Sequence, residues 1–197
     1  DRYVAPELTR LAYDILDPGA ISIEYQRDPF RLVWVVKTDG TAAVLAYDKV
    51  EDVLGWADVV LGGTGTAVES IAVIPHPDGD EDQVWLTVKR TINGATTRHV
   101  EVLEKTYTEQ ANQNDAYFVD AGLTYSGGST STITGLNHLE GQTVVVVGDG
   151  VRQADRTVSG GSITLASAAS KVHVGLQMGS TKMQTLPIET SRSTLST

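Results

Sequence analysis

The sequence has no cysteine among its 197 residues, few aromatic side chains and no long apolar run. The absence of cysteine excludes disulfide bonds, zinc–thiolate sites and cysteine nucleophiles. Aromatic residues make up only 6% of the chain, so its core must be largely aliphatic. No apolar run reaches the ~18 residues that a membrane-spanning helix requires, and we therefore expect no membrane insertion.

Basic side chains are also scarce. Lys and Arg number 15 against 25 Asp and Glu, which gives a formal net charge of −10. Proteins that bind nucleic-acid phosphates in a general way are basic, so this balance argues against sequence-specific or general nucleic-acid binding. The excess lies mainly in residues 1–108, where 18 acidic and 10 basic side chains give a net charge of −8.

Valine, threonine and glycine are abundant, with 19 glycines in the chain. Valine and threonine are stiff at χ1 and fit a pleated sheet better than a helix. The composition therefore predicts an all-β protein. One short N-terminal helix is expected in the segment 1–19, because its apolar residues recur with helical spacing at Leu8, Leu11, Ala12, Ile15 and Leu16.

Residues 20–108 contain the same pattern of strands and turns twice. Three matched pairs define the repeat: Ser22-Ile23 with Ser70-Ile71, Trp34 with Trp85, and the turn Asp39-Gly40 with the turn Asn93-Gly94. A period of about 50 residues with several strands per unit is typical of propeller blades. The pattern predicts two propeller-blade-like antiparallel repeats, with two consecutive meanders of one sandwich as the alternative.

A polar stretch at 109–115 predicts a domain boundary. Beyond it, six short strand candidates are separated mainly by glycine pairs, such as Gly127-Gly128 and Gly160-Gly161. Closely spaced short strands indicate a small β-barrel or sandwich, which we place at 109–186. The polar segment 187–197 is expected to be a flexible tail.

Motifs for enzymatic chemistry or cofactor binding are weak. No glycine loop continues into a phosphate-binding lysine, and no serine lies in a nucleophile elbow, so neither an enzyme nor a cofactor is predicted. The acidic loop at 76–82 holds Asp78, Asp80 and Asp82, whose oxygens suit Ca²⁺. Its spacing misses the helix-loop-helix calcium pattern, so a solvated loop is the stronger interpretation and no metal site is expected.

The tryptophans allow two interpretations. Trp34 and Trp85 lie inside apolar strands, where large side chains usually fill the space between blades. Both are therefore expected to be structural core residues. The alternative is a sugar-binding platform on exposed aromatic rings, which would make the chain a receptor-binding or glycan-binding β-domain.

A series of motifs runs through most of the chain. In chain order they are Leu8-Thr9-Arg10-Leu11-Ala12, Gln26-Arg27-Asp28-Pro29-Phe30-Arg31-Leu32-Val33-Trp34-Val35-Val36, Asp39-Gly40, Gly55-Trp56, Val68-Glu69-Ser70-Ile71-Ala72-Val73-Ile74-Pro75, Val84-Trp85-Leu86-Thr87-Val88-Lys89-Arg90-Thr91-Ile92-Asn93-Gly94, Gly135-Leu136, Leu139-Glu140-Gly141, Val145-Val146-Val147-Gly148-Asp149-Gly150 and His173-Val174-Gly175-Leu176. In the order and combination of these motifs the chain resembles the nozzle, or tail-tube-end, proteins of short-tailed bacteriophages.

The resemblance implies a non-enzymatic structural protein of a phage or prophage tail. Such a protein is made in the bacterial host cytoplasm and resides in the virion, in an oligomeric ring around the DNA channel together with other tail proteins. Within the resemblance, 139–150 is similar to a small β-barrel module likened to the first catalytic-cysteine half-domain of ubiquitin-activating enzymes. Because this chain has no cysteine, no conjugation activity follows.

Overall fold

The computed structural model describes residues 7–10, 12–51, 53–79, 81–106 and 112–179. The predicted all-β class is confirmed, because strands make up 61% of these described residues and no helix among them reaches 7 residues. Eleven strands form three antiparallel sheets, which we call A, B and C. None of them is closed into a barrel.

Sheets A and B are meanders in which each strand pairs with the next one along the chain. The four strands of sheet A are β1 (Ala20–Gln26), β2 (Leu32–Lys37), β3 (Ala42–Asp48) and β4 (Val53–Val59). The three strands of sheet B are β5 (Ala67–Pro75), β6 (Asp82–Ile92) and β7 (Ala95–Val102).

The two meanders share one pairing register. Ile23 pairs with Val35 in sheet A, and Ile71 pairs with Leu86 in sheet B. Each first strand also carries an irregularity at the same place, between Ala20 and Ser22 in β1 and between Val68 and Ser70 in β5. The sequence matches therefore correspond to equivalent positions in two similar sheets.

A shared apolar core joins sheets A and B. Trp34 and Val36 from sheet A pack with Ile71, Leu86 and Val88 from sheet B in this cluster. These side chains come from one face of each sheet, since residues two apart along a strand point the same way. Burial of their apolar surface holds the two sheets together.

Sheet C has the order β10-β9-β11-β8. Its strands are β8 (Val119–Thr134), β9 (Thr143–Gly148), β10 (Val151–Thr157) and β11 (Ser162–Gln177). The sequence predicted six short strands here, and the structure has four. Strand β8 joins the first two of them, because it runs through Gly127-Gly128 without a turn, and β11 joins the last two. The pairing of β8 with β11 is irregular around Ala169, and residues from both halves of this ribbon enter one core, including Ile133, Ile163, Val172 and Val174. The bent, open sheet encloses a core without closing into the barrel that the sequence allowed.

In place of the predicted N-terminal helix, the described residues between 7 and 19 form turns. Their backbone bonds have turn spacing, with Ala12 N donating to Thr9 O at 2.8 Å and Ile15 N donating to Ala12 O at 3.1 Å. A short isolated helix pays a high nucleation cost. Here tertiary contact competes with it, because the Trp56 indole N–H donates to the Leu8 carbonyl at 2.9 Å.

Candidate functional site

One cavity lies between sheet B and sheet C. It has a volume of about 470 Å³ and is open to solvent. Strand β7 and the segment from Tyr117 to Thr124 supply most of its wall. Its polar lining includes His99, Glu101, Glu104, Tyr117, Asp120 and His138.

A buried charge cluster borders this cavity. Arg90 is fully buried, its Nε donates to the Gly62 carbonyl at 3.1 Å, and its Nη1 forms an ion pair with Glu101. The Gly62 N–H donates in turn to the Asp120 carboxylate. Gly62 is thus bonded to sheet B through Arg90 and to sheet C through Asp120. A side chain at this position would collide with the backbone, since a Cβ would lie 1.9 Å from Gln177 O.

Burial shifts the pKa values of two side chains in the cavity, Asp120 and Tyr117. It raises the pKa of Asp120, and the Gly62 N–H and Arg90 only partly counter this effect. Burial also raises the pKa of the Tyr117 phenol, and the acidic groups of Glu104, Glu101 and Asp120 add to the shift. Tyr117 is therefore a neutral hydroxyl throughout the physiological pH range.

The two histidines of the cavity already have partners. The rings of His99 and His138 meet edge-on, with their centroids 6.2 Å apart. His138 Nε2 donates to the Ala121 carbonyl at 2.9 Å, and His99 Nε2 lies 3.0 Å from Thr97 Oγ1. The remaining polar groups of the cavity include its carboxyl groups and the Tyr117 phenol, and they lie near the ion pair between Arg90 and Glu101. Within the described ranges, no group of three or more His, Asp or Glu side chains could hold a metal ion.

Sequence reasoning missed the Arg90 cluster because its members are far apart along the chain. One signal was present in β6, whose buried residues alternate from Val84 through Leu86 and Val88 to Arg90 and Ile92. This alternation places Arg90 on the inward face, where a guanidinium needs an acidic partner.

The structure separates the two matched tryptophans. Trp34 is only 6% exposed and lies in the core between sheets A and B, and its indole N–H donates to Gln26 Oε1 at 3.0 Å. Trp85 is half-buried and lies on the face of sheet B that points away from this core. Its indole N–H is 3.3 Å from its acceptor, Gln83 Oε1. Of the two expected core residues, Trp34 alone lies in the shared core.

The surface around Trp85 was not foreseen from the sequence. Trp85 pairs with Ala72 on one side and Val102 on the other, so the three side chains project from the same face. Val100 and Ile74 share this face and are 71% and 47% exposed. We call these five residues the outer face of sheet B. It is an apolar patch of the kind that usually marks an interaction surface.

Both predicted turns form. Asp39 Oδ1 accepts hydrogen bonds from the Thr41 N–H at 2.9 Å and from the Thr41 hydroxyl at 2.7 Å, which fixes the β2–β3 turn. Gly40 O then accepts from Val68 N at 2.8 Å, so this turn is also bonded to the start of sheet B. Asn93 and Gly94 have positive φ values of 48° and 76°, as a two-residue β6–β7 hairpin requires.

The acidic loop at 76–82 is only partly described, since Asp80 lies outside the described residues. Asp82 Oδ2 accepts hydrogen bonds from the backbone N–H groups of Arg27 at 2.8 Å and Asp28 at 3.2 Å. Asp78 is 81% exposed and lies 3.5 Å from His76 Nδ1. The Asp82 carboxylate therefore has a structural role, in which it holds the β1–β2 loop.

The comparisons with known proteins give no family. No protein-family model matches the chain, and no curated protein is significantly similar to it. In the part of the chain that the structure describes, no helix is long and apolar enough to cross a membrane.

Proposed function

We propose that this chain is a non-enzymatic structural component of a bacteriophage or prophage tail, part of an oligomeric nozzle or tube around the DNA channel. Its site of action is the tail of the virion, and its partners are further copies of itself and other tail proteins. The motif resemblance described above suggests this role, and the arrangement of sheets A and B is the observation that supports it best.

Sheets A and B are two similar units that stack face to face, with equivalent faces pointing in the same direction. The tryptophan-bearing face of sheet A packs on the opposite face of sheet B, because Trp34 contacts the cluster that contains Leu86, whereas Trp85 points away. A unit that packs on its own repeat in this way is suited to assemblies built by repetition. Tail rings are such assemblies.

The charge of the chain also supports a channel component. A net charge of −10 gives little attraction for DNA phosphates, and an acidic wall lets a duplex pass without adhering. The adjacent basic pair Lys89 and Arg90 does not alter this, since the Arg90 side chain is buried and paired with Glu101. We expect titration of the assembled protein with duplex DNA at low salt to show no binding in the micromolar range.

The rival function, a glycan-binding domain, requires exposed aromatic rings beside polar groups that bond to sugar hydroxyls. Trp85 has the apolar neighbours Ala72 and Val102 across the strands. Its indole N–H already donates to Gln83. These surroundings favour contact with an apolar protein surface.

Location on the particle tests the function directly. Antibodies against the chain, labelled with gold, should bind the tail of virions released from a host that encodes it, at a ring around the tail axis. Virions that carry an exposed epitope tag on an unrelated head protein serve as the control for labelling. Label at a receptor-binding tip, or none on particles that contain the protein, would contradict the proposal.

A further inference from the structure

The contact between sheets A and B has two halves. One half is the tryptophan-bearing side of sheet A, where Trp34 lies 6% exposed. The other is the side of sheet B that carries Ile71, which is also 6% exposed, and Val73, which packs against the same cluster. The edge strands β1 and β5 and their neighbours β2 and β6 make this contact.

Part of each half recurs exposed on the opposite side of the stack. On sheet A the open part lies at β1, since Val35, the equivalent of Leu86, is only 1% exposed. The equivalent of Trp34 is Trp85, at the centre of the outer face of sheet B. By the shared register, the equivalents of Ile71 and Val73 are Ile23 and Tyr25. Ile23 and Tyr25 are 62% and 51% exposed, on the side of sheet A that points away from sheet B. We call these two residues the β1 patch.

We propose that the outer face of sheet B binds the β1 patch of a second copy of this chain, repeating between copies the contact that sheet A makes with sheet B within one copy. The inference deepens the proposed function and rests on it only for the setting, because it names the surfaces through which the proposed oligomer forms.

The occupant follows from the chain itself. One molecule carries parts of both surfaces of a contact that it already forms internally. Trp85 and Val102 stand where the covered face of sheet A has Trp34 and Val44, and the β1 patch stands where sheet B has Ile71 and Val73. The contact joins two different surfaces, so it is head-to-tail and leaves one free half at each end. Repetition of such a contact closes into a ring or continues as a filament.

Two exposed positions allow a test without disturbing the fold. Val100→Glu places a charge on the outer face of sheet B, and Ile23→Glu places one in the β1 patch. Val151→Glu is the matched control, because Val151 is 66% exposed on sheet C and Val100 is 71% exposed. Sedimentation velocity and native mass spectrometry of the full chain, over a concentration series, report the number of copies in each species.

We expect the wild type and Val151→Glu to form the same oligomer, and Val100→Glu and Ile23→Glu each to lose it and sediment as monomers. An equimolar mixture of these two variants should form dimers and nothing larger, because one intact pair of surfaces remains. Unchanged circular dichroism and urea unfolding of the variants would show that the fold is intact.

A monomeric wild type, an oligomer that survives both substitutions, or a mixture that forms no dimer would overturn the inference. If the oligomer survives both substitutions and the antibodies still label the tail, the proposed function stands and only these surfaces are wrong. If the substitutions dissociate the oligomer but the label is absent from the tail, the contact stands and the proposed function fails.

Discussion

Trp34 and Trp85 occupy the same register position in two successive sheets, and in each case a glutamine of the same sheet accepts the indole N–H. Trp34 pairs with Glu24 and Val44, and Trp85 pairs with Ala72 and Val102. Only Trp34 is covered by another sheet. The two tryptophans therefore differ in burial because sheet B covers Trp34 and no sheet covers Trp85. Mutation of each one compares a covered and an uncovered side chain at equivalent positions.

Trp34→Ala should destabilise the protein by about 3–5 kcal/mol, because it leaves a cavity in the core between sheets A and B. Trp85→Ala should cost only about 1–2 kcal/mol, since its side chain is partly exposed and no second sheet covers it. Urea unfolding measures both values, at a protein concentration too low for copies of the chain to associate. Equal losses for the two variants would contradict the assignment of Trp34 to the shared core.

The β2–β3 turn gives a second matched pair. Gly40 and Gly94 both have positive φ, at 83° and 76°, so alanine is strained by roughly 1–2 kcal/mol at either position. At Gly40 an added Cβ would also lie 2.5 Å from Ala67 Cβ, whereas at Gly94 it would meet nothing within 4 Å. Gly40→Ala should therefore lower the free energy of unfolding more than Gly94→Ala.

Chemical denaturation of the two glycine variants compares them directly. If Gly40→Ala costs no more than Gly94→Ala, the close contact between the turn and β5 does not contribute to stability. The junction of sheets A and B then depends on its other contacts, the apolar core and the hydrogen bonds to Asp82.

Asp82 and Asp78 allow a structural carboxylate to be compared with a solvated one in the same loop. Asp82→Ala removes the acceptor for two backbone N–H groups and should cost about 1–3 kcal/mol. Asp78→Ala should change stability by less than about 0.5 kcal/mol, because its side chain is 81% exposed. Thermal unfolding measures both effects, and Ca²⁺ should not shift the wild-type Tm. A rise in Tm with Ca²⁺ that Asp82→Ala abolishes would instead establish the calcium loop.

Much of the local structure could be predicted from the sequence, but little of how the sheets pack on one another. Asn93-Gly94 predicted the hairpin correctly, because its turn type demands positive φ at both positions. The strand pattern around Trp34 and Trp85 predicted equivalent strands. It could not say which face of each sheet is covered, since that depends on a stacking partner that is remote in sequence.

The misleading patterns have physical explanations as well. Gly127-Gly128 suggested a chain reversal, but neither glycine has positive φ, and β8 continues through them. The helical spacing at the N-terminus was overridden by a tertiary hydrogen bond between Leu8 and Trp56. The Arg90, Glu101 and Asp120 cluster involves partners from three separate segments, so only the inward position of Arg90 was accessible from the sequence.

Asp120 predicts an unusual pH dependence. Burial raises its pKa in the folded protein above the value of about 3.9 typical of an unfolded chain. A carboxyl group whose pKa is higher in the folded protein than in the unfolded chain stabilises the fold fully at pH values below its pKa in the unfolded chain. This stabilisation is lost as the pH rises through its pKa in the folded protein. Asp120→Asn keeps an oxygen for the Gly62 N–H and removes the titration. The wild-type unfolding free energy, minus that of Asp120→Asn, should therefore fall as the pH rises.

Asp48 provides the control of opposite sign. The backbone N–H groups of Val50 and Glu51 lower the pKa of its exposed carboxyl. A lowered folded pKa contributes stability above the unfolded pKa and loses it as the pH falls. The difference between the wild type and Asp48→Asn should accordingly rise with pH over the acidic range, while that for Asp120→Asn falls. Urea unfolding at a series of pH values gives both curves. A difference for Asp120→Asn that is flat or rises would mean that the Gly62 N–H and Arg90 outweigh the burial of the carboxyl.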